Sequence, residues 1–105
     1  MKEITVIELK EKLDNGEDIQ IVDVREPYEY DIANIGAKLI PLGEIMDKAD
    51  EISKDKPVIV HCRSGARSAS AISVLESQKG HDNLYNLRGG ILAYAEQIDP
   101  SLTKY

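Results

Sequence analysis

The sequence contains no tryptophan, no phenylalanine, one cysteine and only two histidines. Because five tyrosines are its only aromatic residues, the chain must build its core from aliphatic side chains. A single cysteine excludes an intrachain disulfide, and one cysteine with two distant histidines makes a poor zinc site. We therefore expect neither a disulfide scaffold nor a metal centre.

Long hydrophobic runs and an excess of positive charge are also missing. No apolar run approaches the roughly 20 residues that a membrane helix needs, and the N-terminus lacks the apolar stretch of a signal peptide. The formal net charge is −6, whereas nucleic acids and anionic membranes favour basic proteins. These features predict a cytoplasmic protein with no nucleic-acid partner and no membrane partner.

The chain is long enough for one domain with one core, and it shows no linker or repeat, so we expect residues 1–105 to form a single domain. Apolar, β-branched runs predict strands at 4–6, 19–24, 38–40, 58–60 and 83–87. Helical patterns occupy 7–13, 27–30, 42–52, 67–79 and 91–98. This alternation predicts an α/β fold in which a mostly parallel sheet carries helices on both faces.

The arginines follow the predicted strands, whereas the lysines are scattered. In open parallel sheets, ligands bind outside the carboxyl ends of the strands. We therefore predict that at least three of the four arginines cluster there and give an acidic protein a local cationic mouth. The four are Arg25, Arg63, Arg67 and Arg88.

The single cysteine lies where a buried strand passes through a tight loop into a helix. A lone cysteine is usually a small buried hydrophobe, but the N–H groups of this loop and of the helix start can surround the sulfur of Cys62. Gly65 permits the left-handed or closely approaching backbone that such a loop requires. Arg63 and Arg67 add positive charge, so we expect the pKa of the Cys62 thiol to be lowered.

The same loop suits a persulfide on Cys62, because the terminal sulfur of a persulfide is anionic and needs the same donors. Ser64 and Ser68 can add hydroxyl groups. The hypothesis requires that the sulfur lie within reach of solvent and that the amide groups point at it. His61 precedes the cysteine, but strand neighbours face opposite ways, so we expect His61 to be structural.

Loop length separates two kinds of cysteine chemistry. Phosphatases with a cysteine nucleophile place five residues between the cysteine and a following Arg-Ser pair. Here only the four residues 63–66 separate Cys62 from Arg67. The shorter loop favours a single sulfur atom over a tetrahedral phosphate.

These motifs together resemble the rhodanese-like domain family. The loop 62–67 is similar to the family's active-site loop, and DVRE at 23–26 with YEY at 28–30 resembles the motif after its second strand. NLRGGI at 86–91 with Tyr94 resembles its C-terminal motif, and positions 34–42 and 99–101 are most similar to the rhodanese domain of the adenylating enzymes of molybdopterin and thiamine biosynthesis. The chain departs from the family at Asn34, where many members have histidine, and at Tyr94, where many have tryptophan.

The resemblance implies a five-stranded sheet and an enzyme of the thiosulfate sulfurtransferase type. Cys62 would accept sulfane sulfur from thiosulfate or from a cysteine-desulfurase persulfide and pass it to cyanide, a thiol or a protein, with no cofactor. The substrate would be bound by the rest of the loop and the start of the next helix, namely Arg63, Ser64, Gly65, Ala66, Arg67 and Ser68.

Three further residues are supporting candidates. The Asp23 carboxylate is expected to pair with a loop arginine and orient it, a role that the family motif supports. Arg25 is expected either to contact an anionic donor or acceptor or to form a surface salt bridge with Glu26 or Glu29. Arg88 is expected to brace the edge of the loop.

Two alternatives remain open from the sequence. The chain could be a non-catalytic sulfur carrier or interaction module of the same family, although the intact cysteine and loop arginines argue against an inactive module. It could also be an arsenate reductase or small phosphatase on the same fold, for which the short loop predicts little turnover.

Overall fold

The computed structural model describes residues 1–105 and contains a five-stranded sheet in which every strand pair is parallel. The strands lie in the order β1-β5-β4-β2-β3. They are β1 (Glu3–Ile4), β2 (Gln20–Asp23), β3 (Lys38–Leu39), β4 (Val58–His61) and β5 (Leu84–Leu87). The helices are α1 (Val6–Asp14), α2 (Pro27–Ile32), α3 (Ala66–Lys79) and α4 (Gly90–Gln97). The predicted five-stranded α/β fold is confirmed.

The core is aliphatic and divides into two clusters, one on each face of the sheet. Alternation along β4 sends Val58 and Val60 into a cluster with Leu75 of α3, while Ile59 joins a second cluster with Leu9 of α1. All four residues of β4 are buried, which is why the sequence reads as a continuous apolar run there. The central strand is therefore held rigidly from both faces where it leads into the cysteine loop.

Helix α1 begins one residue earlier than predicted because of its cap. The Thr5 hydroxyl accepts the Glu8 N–H at 3.1 Å, and the Glu8 carboxylate accepts the Thr5 N–H at 2.9 Å, a reciprocal arrangement that starts the helix at Val6. The buried residues of this helix are Val6 and Leu9, whereas Ile7 and Leu13 are 53% and 40% exposed.

The predicted helix at 42–52 is also wrong. The structure has two short 3₁₀ turns there, Leu42–Glu44 and Ala49–Glu51. Gly43 lies inside the first turn, and glycine costs about 1 kcal/mol relative to alanine in a helix. Met46 lies in this segment and is exposed.

His81 follows the end of α3 and is buried. The side chain is only 4% exposed, and its Nε2 atom lies 3.3 Å from the Ile52 carbonyl oxygen. This contact ties the end of α3 to the segment before β4.

The turns after β4 and β5 meet at the carboxyl edge of the sheet. The Ile91 N–H donates to the Cys62 carbonyl at 3.0 Å, and the Leu92 N–H donates to the Arg63 carbonyl at 3.2 Å. The start of α4 therefore backs the cysteine loop. None of the four helices combines the length and the apolar character needed to cross a bilayer.

Candidate active site

The Cys62 sulfur faces the N–H groups of the loop that follows it. The Gly65 N–H donates to Sγ at 3.1 Å and the Ser68 N–H at 3.5 Å. Gly65 has φ +119°, a left-handed backbone that turns its N–H toward the sulfur. The Ser68 hydroxyl oxygen lies 3.4 Å from the same sulfur. The predicted convergence of loop amides on Cys62 is confirmed.

These contacts set the acidity of the thiol. Burial by itself raises the pKa of Cys62, but the Ser68 hydroxyl and the backbone N–H groups of Ser68, Gly65 and Ser64 outweigh burial, and the pKa lies below its usual value. The direction agrees with the expectation from the sequence. The hydrogen bonds make the largest favourable contributions.

The expected solvent access of Cys62 is not present. The residue is 1% exposed and belongs to the apolar cluster on the α3 face of the sheet. Strand alternation explains this position, because Cys62 continues the inward series of Val58 and Val60. The sulfur therefore lies at the floor of the loop, with its N–H donors above it, rather than at an open mouth.

Asn86 of β5 holds the loop in place, and the sequence assigned it no role. It is buried, and its Oδ1 lies 2.6 Å from the Ser68 hydroxyl oxygen while its Nδ2 donates to the Gly65 carbonyl at 3.1 Å. It pairs with Val60 across the sheet, so its side chain reaches both residues that donate to the Cys62 sulfur. Its signals in the sequence were its place near the end of a predicted strand and at the start of the NLRGGI motif.

Arg67 is paired with Glu29 rather than aimed freely into the loop. Its two terminal nitrogens contact the two carboxylate oxygens at 2.6 and 2.9 Å. The pair lowers the pKa of the Glu29 carboxyl to about 2 and raises that of Arg67. Cys62 also contributes attraction to the Arg67 charge. Arg67 therefore adds positive charge near the sulfur, as expected, but the Glu29 carboxylate balances that charge.

Asp23 and Arg25 form a fully buried ion pair. The Arg25 guanidinium contacts the Asp23 carboxylate at 2.7 to 3.1 Å and donates to the Ala33 carbonyl at 2.7 Å. Both side chains are completely buried. Asp23 therefore does not orient Arg63 or Arg67 as predicted, and Arg25 is neither a surface salt bridge nor free to meet a substrate. Buried charges require such complete pairing.

Arg88 does not brace the loop. Its side chain is exposed and pairs with Glu3 at 3.2 Å, so this expectation is corrected. The neighbouring Gly90 carries the contact instead, because a Cβ built there would lie 2.6 Å from the Cys62 carbonyl oxygen and 2.4 Å from that of Arg63. The loop is therefore supported by the backbone of Gly90, which packs against the backbone of Cys62 and Arg63.

Three of the four arginines gather around two common partners, Glu29 and Tyr105. Arg25 donates to the Glu29 carbonyl at 3.3 Å and to the Tyr105 hydroxyl at 2.7 Å, and the guanidinium of Arg63 lies 5.1 Å from the Tyr105 ring centre. With the Arg67–Glu29 pair, this cluster confirms the predicted gathering of at least three arginines. The sequence did not single out Tyr105, since nothing local marks it.

His61 is completely buried, with Nδ1 3.3 Å from the Cys62 carbonyl oxygen and Nε2 3.6 Å from the Asp23 carboxylate. Burial lowers its pKa, so the imidazole is neutral. This placement agrees with the expected structural role. The remaining loop side chains, Ser64 and Ala66, are exposed.

Comparison with known proteins agrees with the motifs. Residues 5–97 match the family model described as "Rhodanese-like domain". A "Sulfurtransferase" of Allochromatium vinosum is 41% identical over 96 residues, which cover 90% of this chain and 89% of that protein. The "Probable adenylyltransferase/sulfurtransferase MoeZ" of Mycobacterium tuberculosis is 36% identical over 97% of this chain, and this chain spans only about a quarter of that protein's length.

Solved structures give the same result. A rhodanese-like domain protein from Staphylococcus aureus is 38% identical, covers 100% of this chain and 99% of its own, and superposes with a TM-score of 0.85. The resemblance inferred from the motifs is confirmed.

Proposed function

We propose that this chain, which belongs to the rhodanese-like domain family, is a sulfurtransferase that carries sulfane sulfur as a persulfide on Cys62. One observation carries the proposal: the Cys62 sulfur accepts hydrogen bonds from the backbone N–H groups of Gly65 and Ser68. Donors placed in this way stabilise a negative charge on sulfur without rearranging during the reaction. The names of the A. vinosum and M. tuberculosis relatives include sulfurtransferase, which supports the same reaction class.

The first step loads the cysteine. The Cys62 thiolate attacks the outer sulfur of thiosulfate, a sulfur–sulfur bond forms, and the bond between the outer sulfur and the sulfonate breaks. Sulfite leaves with the electron pair. A protein persulfide can load Cys62 by the same step, with a thiolate as leaving group. Cys62 then carries a persulfide whose terminal sulfur is anionic.

The second step unloads the sulfur. Cyanide, a thiolate or a partner protein attacks the terminal sulfur of the persulfide, and the Cys62 sulfur leaves as the thiolate with which the cycle began. Both steps are exchanges at sulfur of the thiol–disulfide kind. No external oxidant or reductant is required, and no metal or organic cofactor takes part in this proposal.

Access to the sulfur requires the loop to move. Cys62 is 1% exposed, while Arg63, Ser64 and Ala66 on the loop are exposed. The loop is held at its base by the start of α4 and by Asn86. Opening therefore concerns the exposed side chains of the loop, because the backbone at Arg63 and Gly65 is held by these contacts.

The arrangement of Arg67 disfavours the phosphatase and arsenate reductase alternatives. A dianionic substrate of that kind needs a guanidinium that can bind two of its oxygens. Both terminal nitrogens of Arg67 already contact Glu29. This pairing and the short loop favour a single sulfur atom as cargo.

Intact mass spectrometry tests the proposal directly. After incubation with thiosulfate or with a loaded cysteine desulfurase, the wild-type chain should gain the mass of one sulfur atom and lose it on addition of cyanide. Cys62→Ser should gain nothing and lose thiosulfate:cyanide transfer, while its thermal unfolding remains close to that of the wild type.

Each result separates the candidates. Loading from the desulfurase but not from thiosulfate would identify a carrier that takes sulfur from proteins. Sulfur gained equally by Cys62→Ser, or none gained by the wild type from either donor, would contradict the proposal. Hydrolysis of an aryl phosphate by the wild type would favour the phosphatase alternative.

A further inference from the structure

Arg63 differs from the other two arginines of the cluster in having no carboxylate partner. Arg25 is paired with Asp23, and Arg67 is paired with Glu29. Arg63 forms no ion pair and is exposed. It is the one guanidinium at this edge of the sheet whose charge is not already balanced.

The Arg63 guanidinium lies over the Tyr105 ring, 5.1 Å from the ring centre. The ring is itself fixed at its far end, because the Tyr105 hydroxyl accepts from Arg25 at 2.7 Å and donates to Glu29 at 2.8 Å. Glu29 in turn holds Arg67, which feels the charge of Cys62. A continuous set of contacts therefore connects the Tyr105 ring to the cysteine loop.

We propose that Tyr105 is a positioning residue that holds the Arg63 guanidinium beside the Cys62 loop, where its unpaired charge selects anionic reagents for the sulfur. An arginine that directly follows the nucleophile would otherwise sample many rotamers in solvent, and a ring beneath it restricts these. The inference rests on the proposed function for its natural consequence, which is a preference for small anionic sulfur donors such as thiosulfate.

Alkylation of Cys62 tests the inference without any sulfur transfer. Iodoacetate is anionic and iodoacetamide is neutral, and the two have similar size, so the ratio of their rate constants reports the charge that a reagent meets on its way to the sulfur. The rate constant for iodoacetamide alone reports the nucleophilicity and the accessibility of the thiol.

In Tyr105→Leu, the iodoacetate-to-iodoacetamide ratio should fall about two- to fivefold, with the iodoacetamide rate unchanged. Arg63→Gln should lower the ratio at least as far, and the double variant should fall no further than Arg63→Gln alone. Tyr105→Phe keeps the ring but loses its two hydrogen bonds, so its ratio should lie between those of wild type and Tyr105→Leu. The wild-type ratio should decrease with added salt, and that of Arg63→Gln should not.

Tyr28→Leu is the matched control, because Tyr28 is 66% exposed. This variant should leave the iodoacetate-to-iodoacetamide ratio unchanged. An unchanged ratio in Tyr105→Leu, or additive effects in the double variant, would overturn the inference. Equal changes in both rate constants would do the same, since Tyr105 would then cover or support the whole loop. If the wild type never gains sulfur but the ratio still falls, the proposed function fails and the role of Tyr105 stands.

Discussion

Gly90 offers the sharpest test of how the cysteine loop is held. It begins α4 with φ +58°, and a Cβ there would lie 2.4 Å from the Arg63 carbonyl oxygen and 2.6 Å from that of Cys62. Both atoms are backbone and cannot rotate away. In Gly90→Ala the loop and the start of α4 must therefore separate, which strains the hydrogen bond from the Ile91 N–H to the Cys62 carbonyl.

Two costs combine in this substitution. Placing alanine in the left-handed region costs about 1–2 kcal/mol, and forcing a methyl group into a packed contact costs about 1–3 kcal/mol more. The free energy of unfolding should therefore fall by about 2–5 kcal/mol, out of a total of about 5–15 kcal/mol for a domain. That is a loss of at least about 8 °C in Tm.

Gly16→Ala separates the two costs. Gly16 has a similar φ of +66°, but a Cβ there meets nothing within 4 Å, so this variant carries the backbone cost alone. Urea unfolding followed by circular dichroism should show Gly90→Ala as less stable than Gly16→Ala by about 1–3 kcal/mol. Cys62 in Gly90→Ala should also be alkylated faster, because the loop is loosened. Equal stability of the two variants would refute the argument that the close backbone approach holds the loop.

Two further predictions concern charge. Ser68→Ala removes a hydroxyl that lowers the pKa of Cys62, so the pH midpoint of Cys62 alkylation should rise. Ser70→Ala, on the exposed side of the same helix, is the control and should leave the midpoint unchanged. An unchanged midpoint in Ser68→Ala would contradict the assigned contact. Because Arg67 lowers the pKa of Glu29 to about 2 from a usual value of 4.5, their pair stabilises the fold above pH 4.5 and is lost as the pH falls toward 2, at a cost of at most about 3 kcal/mol. Wild-type Tm should therefore fall more steeply than that of Glu29→Gln across this window, and parallel curves would count against the pair.

The features that the sequence predicted well are those governed by local pattern. The apolar run of β4 predicts a strand buried on both faces, and the glycine at 65 predicts a left-handed turn; the structure has both. In parallel sheets the carboxyl ends of the strands lie at one edge. Because the arginines follow predicted strands, this alone predicts that they cluster, without any knowledge of side-chain contacts.

The contacts that the sequence could not predict join residues far apart in the chain. Glu29 meets Arg67 across 38 positions, and Tyr105 meets Arg25 across 80. Which carboxylate pairs with an arginine depends on how α2 and the C-terminal segment lie against the loop. No periodicity in the sequence predicts that placement. The role of Asn86 has the same origin, since it follows from the register between β5 and β4.

The pairing of Arg67 bears on why this loop suits sulfur. An unpaired Arg67 guanidinium, at the start of the helix that follows Cys62, could bind two oxygens of a tetrahedral dianion such as phosphate. Glu29 balances that charge, so the field at the sulfur comes mainly from hydrogen-bond donors, each carrying only a fraction of a positive charge. Such donors match the single negative charge of a thiolate or of a terminal persulfide sulfur. The pairing of Arg67 with Glu29 is thus consistent with sulfur transfer. It leaves Arg63 as the unpaired guanidinium that an incoming anion can contact.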